Sequence, residues 1–575
     1  MVSKWNYVPL TKEDEHIQER LAETLSISPA ICTLLVQRGV KTVEDARKFF
    51  RPQLADLYDP FLLKDMDKAV SRLNKAMGAK EKILIYGDYD VDGTTAVALV
   101  YKFLNNFYSN LDYYIPDRYD EGYGISIKGI DYAAENGITL IIALDCGIKA
   151  VEKVAYAQEK GIDFIICDHH VPDEKLPEAV AVLDAKRDDD TYPYEHLSGC
   201  GVGFKFMEGF ARSNGIDVSQ YLFPLLDLVA VSIASDIVPI TGENRILAYH
   251  GLRCLNANPS LGLKGIIDIC GLRGKEIGIS DIVFKIGPRI NASGRMQSGK
   301  EAVDLLVSKD AVTAQEKSQN INQYNETRKE LDKKVTEEAR QLLELRPDFN
   351  DRKSIVIYNA EWHKGIIGIV ASRLTELYYR PSVVLTYSEA NNLVTGSARS
   401  VQGFDVYKAI ESCRDLLENF GGHTYAAGLS LRQENIDEFI ERFETYVAEN
   451  ILQEQTVQQI DIDMELGFEE ITADFYNWLK QFNPMGPGNL KPVFSTRGVY
   501  DYNSRLVGRN QEHLKLEIRD GKSGTIMGGI AFGQGEEHFS YLRSGAPVGI
   551  CYTVEENDFK GNKTIQLQVK DILHE

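Results

Sequence analysis

The stretch ILIYGDYDVDGTT, residues 83–95, sets an apolar run directly before three carboxylates at every second position, Asp88, Asp90 and Asp92. Charges that close repel, and each raises the pKa of the next unless a cation neutralises them. D-x-D-x-D-G also opens a calcium-binding EF-hand loop, which requires a glutamate at its twelfth position and a helix before it. Counted from Asp88 the twelfth residue is Leu99, and the preceding segment reads as a strand, so the EF-hand reading fails on both counts. Further acids close later apolar runs: Asp145 in IIALDCG, Asp168 with His169 and His170 in FIICDHH, and Asp184 in AVLD. In a parallel sheet the carboxyl ends of neighbouring strands meet at one edge, where such folds bind ligands. Acids about 50 to 80 residues apart in the chain are therefore expected to converge there. Carboxylates with imidazole and no sulfur suit Mn²⁺ or Mg²⁺. A single Asp after a strand is ordinarily a cap or turn residue, and Asp184 is read that way. A lone His-His pair is ordinarily incidental. Recurrence in successive strand–helix units is what points to a metal.

Holding these groups together takes a multi-domain chain. At 575 residues and 64.6 kDa it exceeds one hydrophobic core, and two to four domains are expected. Apolar content of 43% and charged content of 26% are those of an ordinary globular protein. The sequence reading expects no apolar span of 18 residues and finds no signal-peptide core in MVSKWNYVPLTKEDE, so a cytoplasmic location is expected. Eight scattered cysteines without a C-x-x-C pair, several in apolar runs, argue for reduced packed thiols and against a zinc ribbon. The net charge of −21 argues against charge-driven, non-specific nucleic-acid binding and leaves room for a local basic cleft.

Residues 1–75 read as a helical segment. From 81 to about 185, KILIYGD, LDYYIP, ITLIIALD, IDFIICD and AVAVLD alternate with amphipathic helices, the pattern of a doubly wound parallel sheet. This α/β domain is placed at 76–255, with a further apolar helical segment over 220–255. A connecting region, 256–345, contains one long helix from Asp310, with Ile321, Tyr324, Leu331, Val335, Ala339 and Leu342 at three-and-four spacing. Spanning roughly 50 Å, it would serve as a strut between domains. A second, smaller α/β domain follows at 346–452. The last segment, 453–575, includes FNPMGPGNLKPVF, read as a hinge, and then β-type runs that fit a small barrel of about five strands.

The ordered motifs resemble a known family. DHH at 168–170 is the signature of the DHH phosphoesterase superfamily. GDYDVDGTTA, PDRYDEGYGIS, LDCGI, CDHH, VSIASDIVPITGENR, IGPRINASGRM, WHKGIIGIVASRL, GSARS and GGHTYAAG follow in the order of its RecJ branch. The resemblance covers about residues 65 to 500 and continues more weakly to the C-terminus. It implies a parallel-sheet DHH domain, a DHH-associated α/β domain and a terminal OB-fold. It also implies a single-strand-specific 5′→3′ DNA exonuclease of repair and recombination that releases nucleoside 5′-monophosphates with two Mn²⁺ or Mg²⁺ ions. The polarity rests on the resemblance alone.

Carried over by position, the resemblance implies that Asp90, Asp92, Asp145, His169, His170 and Asp236 surround the two metals, with Asp145 bridging them. Asp88 is left as a ligand or a support behind the ligands, since related phosphatases have a His where Tyr86 stands. Asp168 is expected to orient a neighbouring His. Arg118 and Tyr123 would ordinarily be only solvated or packed; beside a metal site they are read as phosphate and base contacts. Arg289, Asn291, Arg295, Ser397, Arg399, Gly422 and His423 are assigned to the DNA cleft, with Arg295 and Arg399 on phosphates. Arg505, Arg509, His513 and Lys515 are candidate strand contacts on the barrel. A RecQ-type helicase and a single-strand-binding protein are the partners the resemblance suggests, and a monomer is expected. Two rival readings remain: a DHH phosphodiesterase acting on short oligonucleotides or cyclic dinucleotides, and a non-catalytic replication subunit. The latter would be expected to lack some of the carboxylates.

Overall fold

The computed structural model describes residues 3–389, 391–559 and 561–575. The chain forms two compact units, Leu57–Val238 with Gly242–Val457, and the residues up to Asp56 with Pro239–Thr241 and Gln458–Glu575.

The larger unit begins with five parallel strands, β1 (Lys82–Gly87), β2 (Leu111–Tyr114), β3 (Ile138–Leu144), β4 (Asp163–Cys167) and β5 (Ala181–Leu183). Helices α1 (Val91–Leu104), α2 (Ile127–Glu135) and α3 (Val151–Glu159) make the crossovers. Strand order is β2-β1-β3-β4-β5. The chain thus leaves β1 toward one side, returns, and builds the rest on the other. The carboxyl ends of β1 and β3 flank that reversal, the place where open α/β sheets bind ligands. Residues 83–86 and 140–144 are buried throughout, as strands covered on both faces must be.

Helix α1 is buried along 91–100 because α4 (Gly199–Ser213) and α5 (Leu226–Ser235) close over it. One expectation fails here. Val218–Ser235 is an 18-residue stretch apolar enough to cross a bilayer. It is broken around Pro224 into Val218–Tyr221, Phe223–Leu225 and α5, and residues 226–234 are buried in protein. Apolar character all round is what a helix enclosed on every side requires.

Helix α6 (Gly287–Met296) follows a π-helical turn, Ile282–Ile286. The long helix α7 (Ala311–Glu344) has 34 residues and extends about 50 Å. Its N-terminal half packs on α6, and Val335, Ala339 and Leu343 enter the core of the second α/β domain. Leu342, expected on that face, is exposed. From Ala339 both the third and fourth residue lie near the same stripe, and only the neighbouring domain decides which is covered.

The second domain comprises β6 (Ile355–Tyr358), α8 (Ile367–Tyr378), β7 (Ser382–Ser388), β8 (Leu393–Arg399), β9 (Leu417–His423), β10 (Ala426–Leu431) and α9 (Ile436–Asn450). Sheet order is β9-β10-β8-β7-β6, with only β6 and β7 parallel.

In the smaller unit, Phe494–Asp501 pairs with both Val548–Phe559 and His513–Asp520. With Asn562–His574 and Ile526–Ala531 these close a five-stranded ring, to which Met464–Glu465 and Arg505–Val507 add two short strands. The sequence pattern misses Phe494–Asp501 because Gly498, at φ 65°, shifts the register and interrupts the alternation. The expected N-terminal helical segment is divided. It opens on a strand, Lys4–Tyr7, parallel to Gln459–Ile462. Three helices before Asp56 then bury Leu21, Ile31, Leu35 and Phe49 in the same core as Phe482, Phe494, Leu514 and Ile550. The stretch read as a hinge is a packed turn inside this unit. Asn489 is buried and donates to the carbonyls of Phe482 and Pro484 at 2.8 and 2.9 Å. Pro and Gly there serve tight reversal rather than freedom.

Candidate metal centre and nucleic-acid interface

The loop after β1 carries the three acids in three environments. Asp88 is fully buried; Oδ1 accepts from Gly124 N at 3.2 Å and Oδ2 has no partner. Asp90 caps α1, accepting from Gly93 N at 3.1 Å. Asp92 lies in the first turn of α1 and is held from the opposite direction. The amides of Gly199 and Cys200, at the start of α4, donate to Oδ2 and Oδ1 at 2.7 and 2.8 Å, and Ser232 Oγ of α5 donates to Oδ1 at 2.7 Å. A helix N-terminus stabilises a carboxylate with its free amides and its dipole. Gly199 is required there: a Cβ would stand 2.6 Å from Asp145 Cβ and 2.8 Å from Oδ1.

Asp145 follows β3 at φ 58°, its N–H held by Cys167 O at 2.9 Å. Asp168, after β4, accepts from Ile148 N at 2.9 Å and sits 2.7 Å from His170 Nδ1. Burial opposes its charge, but the His170 hydrogen bond prevails and brings its pKa down to about 2. His170 is correspondingly raised, to about 9, with burial opposing and Asp168 winning. The His that Asp168 contacts is His170.

The centre of convergence is His169 Nε2. It lies 3.1 Å from Asp145 Oδ1, 3.6 Å from Asp236 Oδ2 and 3.7 Å from Asp92 Oδ2, yet neither ring nitrogen of this buried side chain makes a hydrogen bond. Burial holds His169 toward its neutral form. Burial, then Asp92 and Asp90, pushes Asp145 well above the carboxylate range and Asp236 up to about 8. Asp90 is raised by burial and Asp92, Asp88 by burial and Asp90. Two sets of ligand atoms lie within 4.8 Å of one another, Asp145 with His169 and His170, and Asp92 with His169 and Asp236. Carboxyl groups whose ionisation is this costly without a counter-charge, around an imidazole bare of hydrogen bonds, fit divalent cations with oxygen and imidazole ligands.

Asp236 ends a helix, α5, not a strand, and strand-end periodicity does not find it. Asp184 behaves as the turn residue expected, accepting from Lys186 N at 2.8 Å; burial raises it to about 8. Lys186, which the sequence reading did not single out, donates to His169 O. Tyr86 points into the core, its hydroxyl donating to Gly124 O at 2.9 Å, and is not at the centre.

Beside the acids lies a cationic cluster. Arg118 stacks 4.6 Å from the Tyr89 ring, Arg295 donates to Gly365 O at 3.0 Å, and Arg399 donates to Ser397 Oγ at 3.0 Å and Ala398 O at 2.7 Å. Their partners are a ring, carbonyls and a hydroxyl rather than carboxylates. Burial, then Arg118, lowers Arg295 to about 10; the same two causes lower Arg399 and Lys364. Lys364 and His363, both missed, flank Tyr119, whose hydroxyl donates to Arg295 O. Motif GPRINASGRM supplies three of the residues assigned to the DNA cleft, Arg289, Asn291 and Arg295. It forms α6, whose amides are spent within the helix, and Arg289 turns to Asn322 Oδ1 and Lys285 O in the contact with α7. Asn291 is half-buried on the same helix. A cavity of about 550 Å³ is lined by Tyr123, Asp168, His170, Val171, Gly422 and His423 among others. Tyr123 is 49% exposed and bonds Asp145 O at 3.2 Å and His170 Nε2 at 3.1 Å. Gly422, at φ 150°, lies so close to β10 that a Cβ would be 2.4 Å from Ala426 O.

In the smaller unit Arg505 stands directly opposite Lys515 across two strands, a like-charge pair that costs stability unless an anion joins it. His513 accepts from Gly533 N at 3.0 Å against the exposed Phe532 ring; Arg509 is exposed.

A parallel sheet with acids and a His gathered at its topological switch, joined to a mixed sheet and an OB-type barrel, defines a metal-dependent phosphoesterase of the DHH class. Family models agree in three places. The DHH family N-terminal domain matches residues 82–233, the DHHA1 domain 351–449, and the RecJ OB domain 462–571. The single-stranded-DNA-specific exonuclease RecJ of Bacillus subtilis is 35% identical, over 98% of this chain and 70% of its own length. That of Haemophilus influenzae is 32% identical, over 96% and 97%. The crystal structure of Thermus thermophilus RecJ with Mn²⁺ superposes with a TM-score of 0.84 at 26% identity, covering 99% of this chain and 79% of that one. The chain belongs to the RecJ family of single-stranded-DNA-specific exonucleases.

Proposed function

We propose that Asp90, Asp92, Asp145, His169 and Asp236, together with His170, would hold two divalent cations, Mn²⁺ or Mg²⁺. The protein then hydrolyses single-stranded DNA from the 5′ end, releasing nucleoside 5′-monophosphates in repair and recombination. The observation that carries this reading is His169 Nε2, bare of hydrogen bonds among three carboxylates. When bound, paired cations lower the pKa of a water and neutralise charge on the phosphoryl group.

The protein's own groups supply position. Asp92 is clamped by two amides and Ser232 and cannot swing with the substrate. Asp168 keeps His170 in one orientation. Asp88, with Oδ1 on Gly124 N, supports from behind. Arg118, Arg295 and Arg399 repel one another, and a backbone phosphate among them relieves that repulsion while taking charge-assisted bonds. Tyr123 and His423 offer faces to a base, and stacking of about 1 to 3 kcal/mol per base tolerates any sequence. Arg505, Arg509, His513, Lys515 and Phe532 give the barrel a basic strip beside an aromatic, suited to a single strand. A RecQ-type helicase and a single-strand-binding protein would present such a strand, in the cytoplasm.

Asp145→Ala should abolish release of mononucleotides from a 5′-labelled oligonucleotide with Mn²⁺ while circular dichroism stays that of the parent. Near-parental nuclease activity in the pure variant refutes the assignment.

A further inference from the structure

Among the described residues eight other than glycine have a left-handed φ, and Ile237, at 59°, is the β-branched one. In that region a branched side chain crowds the following carbonyl, and such strain persists only where something over-determines it, commonly at functional sites. Packing does not account for it, since Ile237 is 64% exposed. Nor does the helix end. Asp236 closes α5 by donating its N–H to Ser232 O at 2.9 Å, and Gly or Asn after it would make the same turn without crowding. Its immediate neighbour Asp236 places Oδ2 3.6 Å from His169 Nε2. The other ligand loop repeats the arrangement. Val171 follows His170, is 63% exposed, and lines the cavity with Tyr123 and His423. Two bare aliphatic side chains therefore each follow a polar residue of the metal centre.

We infer that Ile237 is a substrate-contact residue, its side chain packing on the sugar and base of a nucleotide flanking the cut phosphodiester. This rests on the metal-centre reading above. A relaxed glycine would leave the carboxylate of Asp236 where it is but remove the contact, which is why the strained isoleucine is kept. An aliphatic surface reads no base identity, as hydrolysis along an arbitrary strand requires. Covering the exposed part of an isoleucine corresponds to about a tenfold change in binding.

The test compares the full chain with Ile237→Gly and Ile237→Val. Three quantities are measured: melting temperature, Mn²⁺ affinity by calorimetry, and KM and kcat on a single-stranded (dT)20. For the glycine variant the expected result is an unchanged or raised melting temperature, unchanged Mn²⁺ affinity, and a KM about tenfold higher with kcat within threefold. The valine variant should recover most of the KM. An unchanged KM overturns the inference. So does a lowered melting temperature or weakened Mn²⁺ binding in step with activity, since either makes the role structural. Parental protein that binds no Mn²⁺ would instead sink the metal-centre reading.

Discussion

Gly199→Ala adds one carbon at the point where two catalytic carboxylates are held apart and in place. The new Cβ would lie 2.6 Å from Asp145 Cβ and 2.9 Å from its Cα, which are side-chain root and backbone and cannot swing away. Restoring ordinary contact at about 3.5 Å requires a retreat of roughly 1 Å by the start of α4 or by Asp145. If α4 retreats, the 2.7 Å bond from Gly199 N to Asp92 Oδ2 opens to beyond 3.5 Å and ceases to be a hydrogen bond. Losing a charge-assisted bond in a buried site costs about 1.5 to 3 kcal/mol, lowering the melting of this unit by several degrees. If Asp145 retreats, it leaves His169. Either way a ligand is misplaced by about 1 Å, which corresponds to roughly a hundredfold loss of rate. The assay is kcat on a 5′-labelled single strand with saturating Mn²⁺, beside a melting curve. A variant that melts several degrees lower yet turns over within twofold of the parent would refute the reasoning. It would mean that the spacing of Asp92 and Asp145 does not govern the chemistry.

Arg399→Gln should weaken single-strand binding and lower the slope of log affinity against log salt by about 0.7, one phosphate's worth; fluorescence anisotropy across a salt series checks it, and an unchanged slope removes Arg399 from the phosphate path. Mn²⁺ at a hundred times its dissociation constant should stabilise the protein by about 2.7 kcal/mol against thermal unfolding, and Asp236→Asn should reduce that gain. In the smaller unit His538 is buried with Nδ1 3.0 Å from His574 Nε2, and burial lowers its pKa below 6.5. The unfolded chain therefore takes the proton first. This contribution is whole above pH 6.5 and is lost as the pH falls toward the depressed folded value. Between pH 7.5 and 5.5 the melting temperature of the parent should fall further than that of His538→Gln, measured by calorimetry at constant salt.

Much of the site was legible in the chain because strand-end acids announce themselves by local pattern. Apolar runs at 83–86, 140–144 and 164–167 are followed by Asp88, Asp145 and Asp168 with no long-range information needed. Residues of this kind depend only on the alternation of buried strand and helix. Asp236 shows the limit: without the resemblance nothing in its neighbourhood separates it from any helix-capping acid, and its meeting with His169 comes from how α5 packs on α1. Arg289 and Arg295 occupy one motif, yet the turn of α6 sends Arg289 to Asn322 and Arg295 to the cationic cluster. Secondary structure and residue type are encoded within a few neighbours, so the sequence by itself determined the fold class and the recurrence of acids at strand ends. Which amides fix Asp92, which guanidiniums share a phosphate site and which apolar span is enclosed depend on strand order and helix packing. Contacts between segments more than a hundred residues apart set those, and only the tertiary structure decides them.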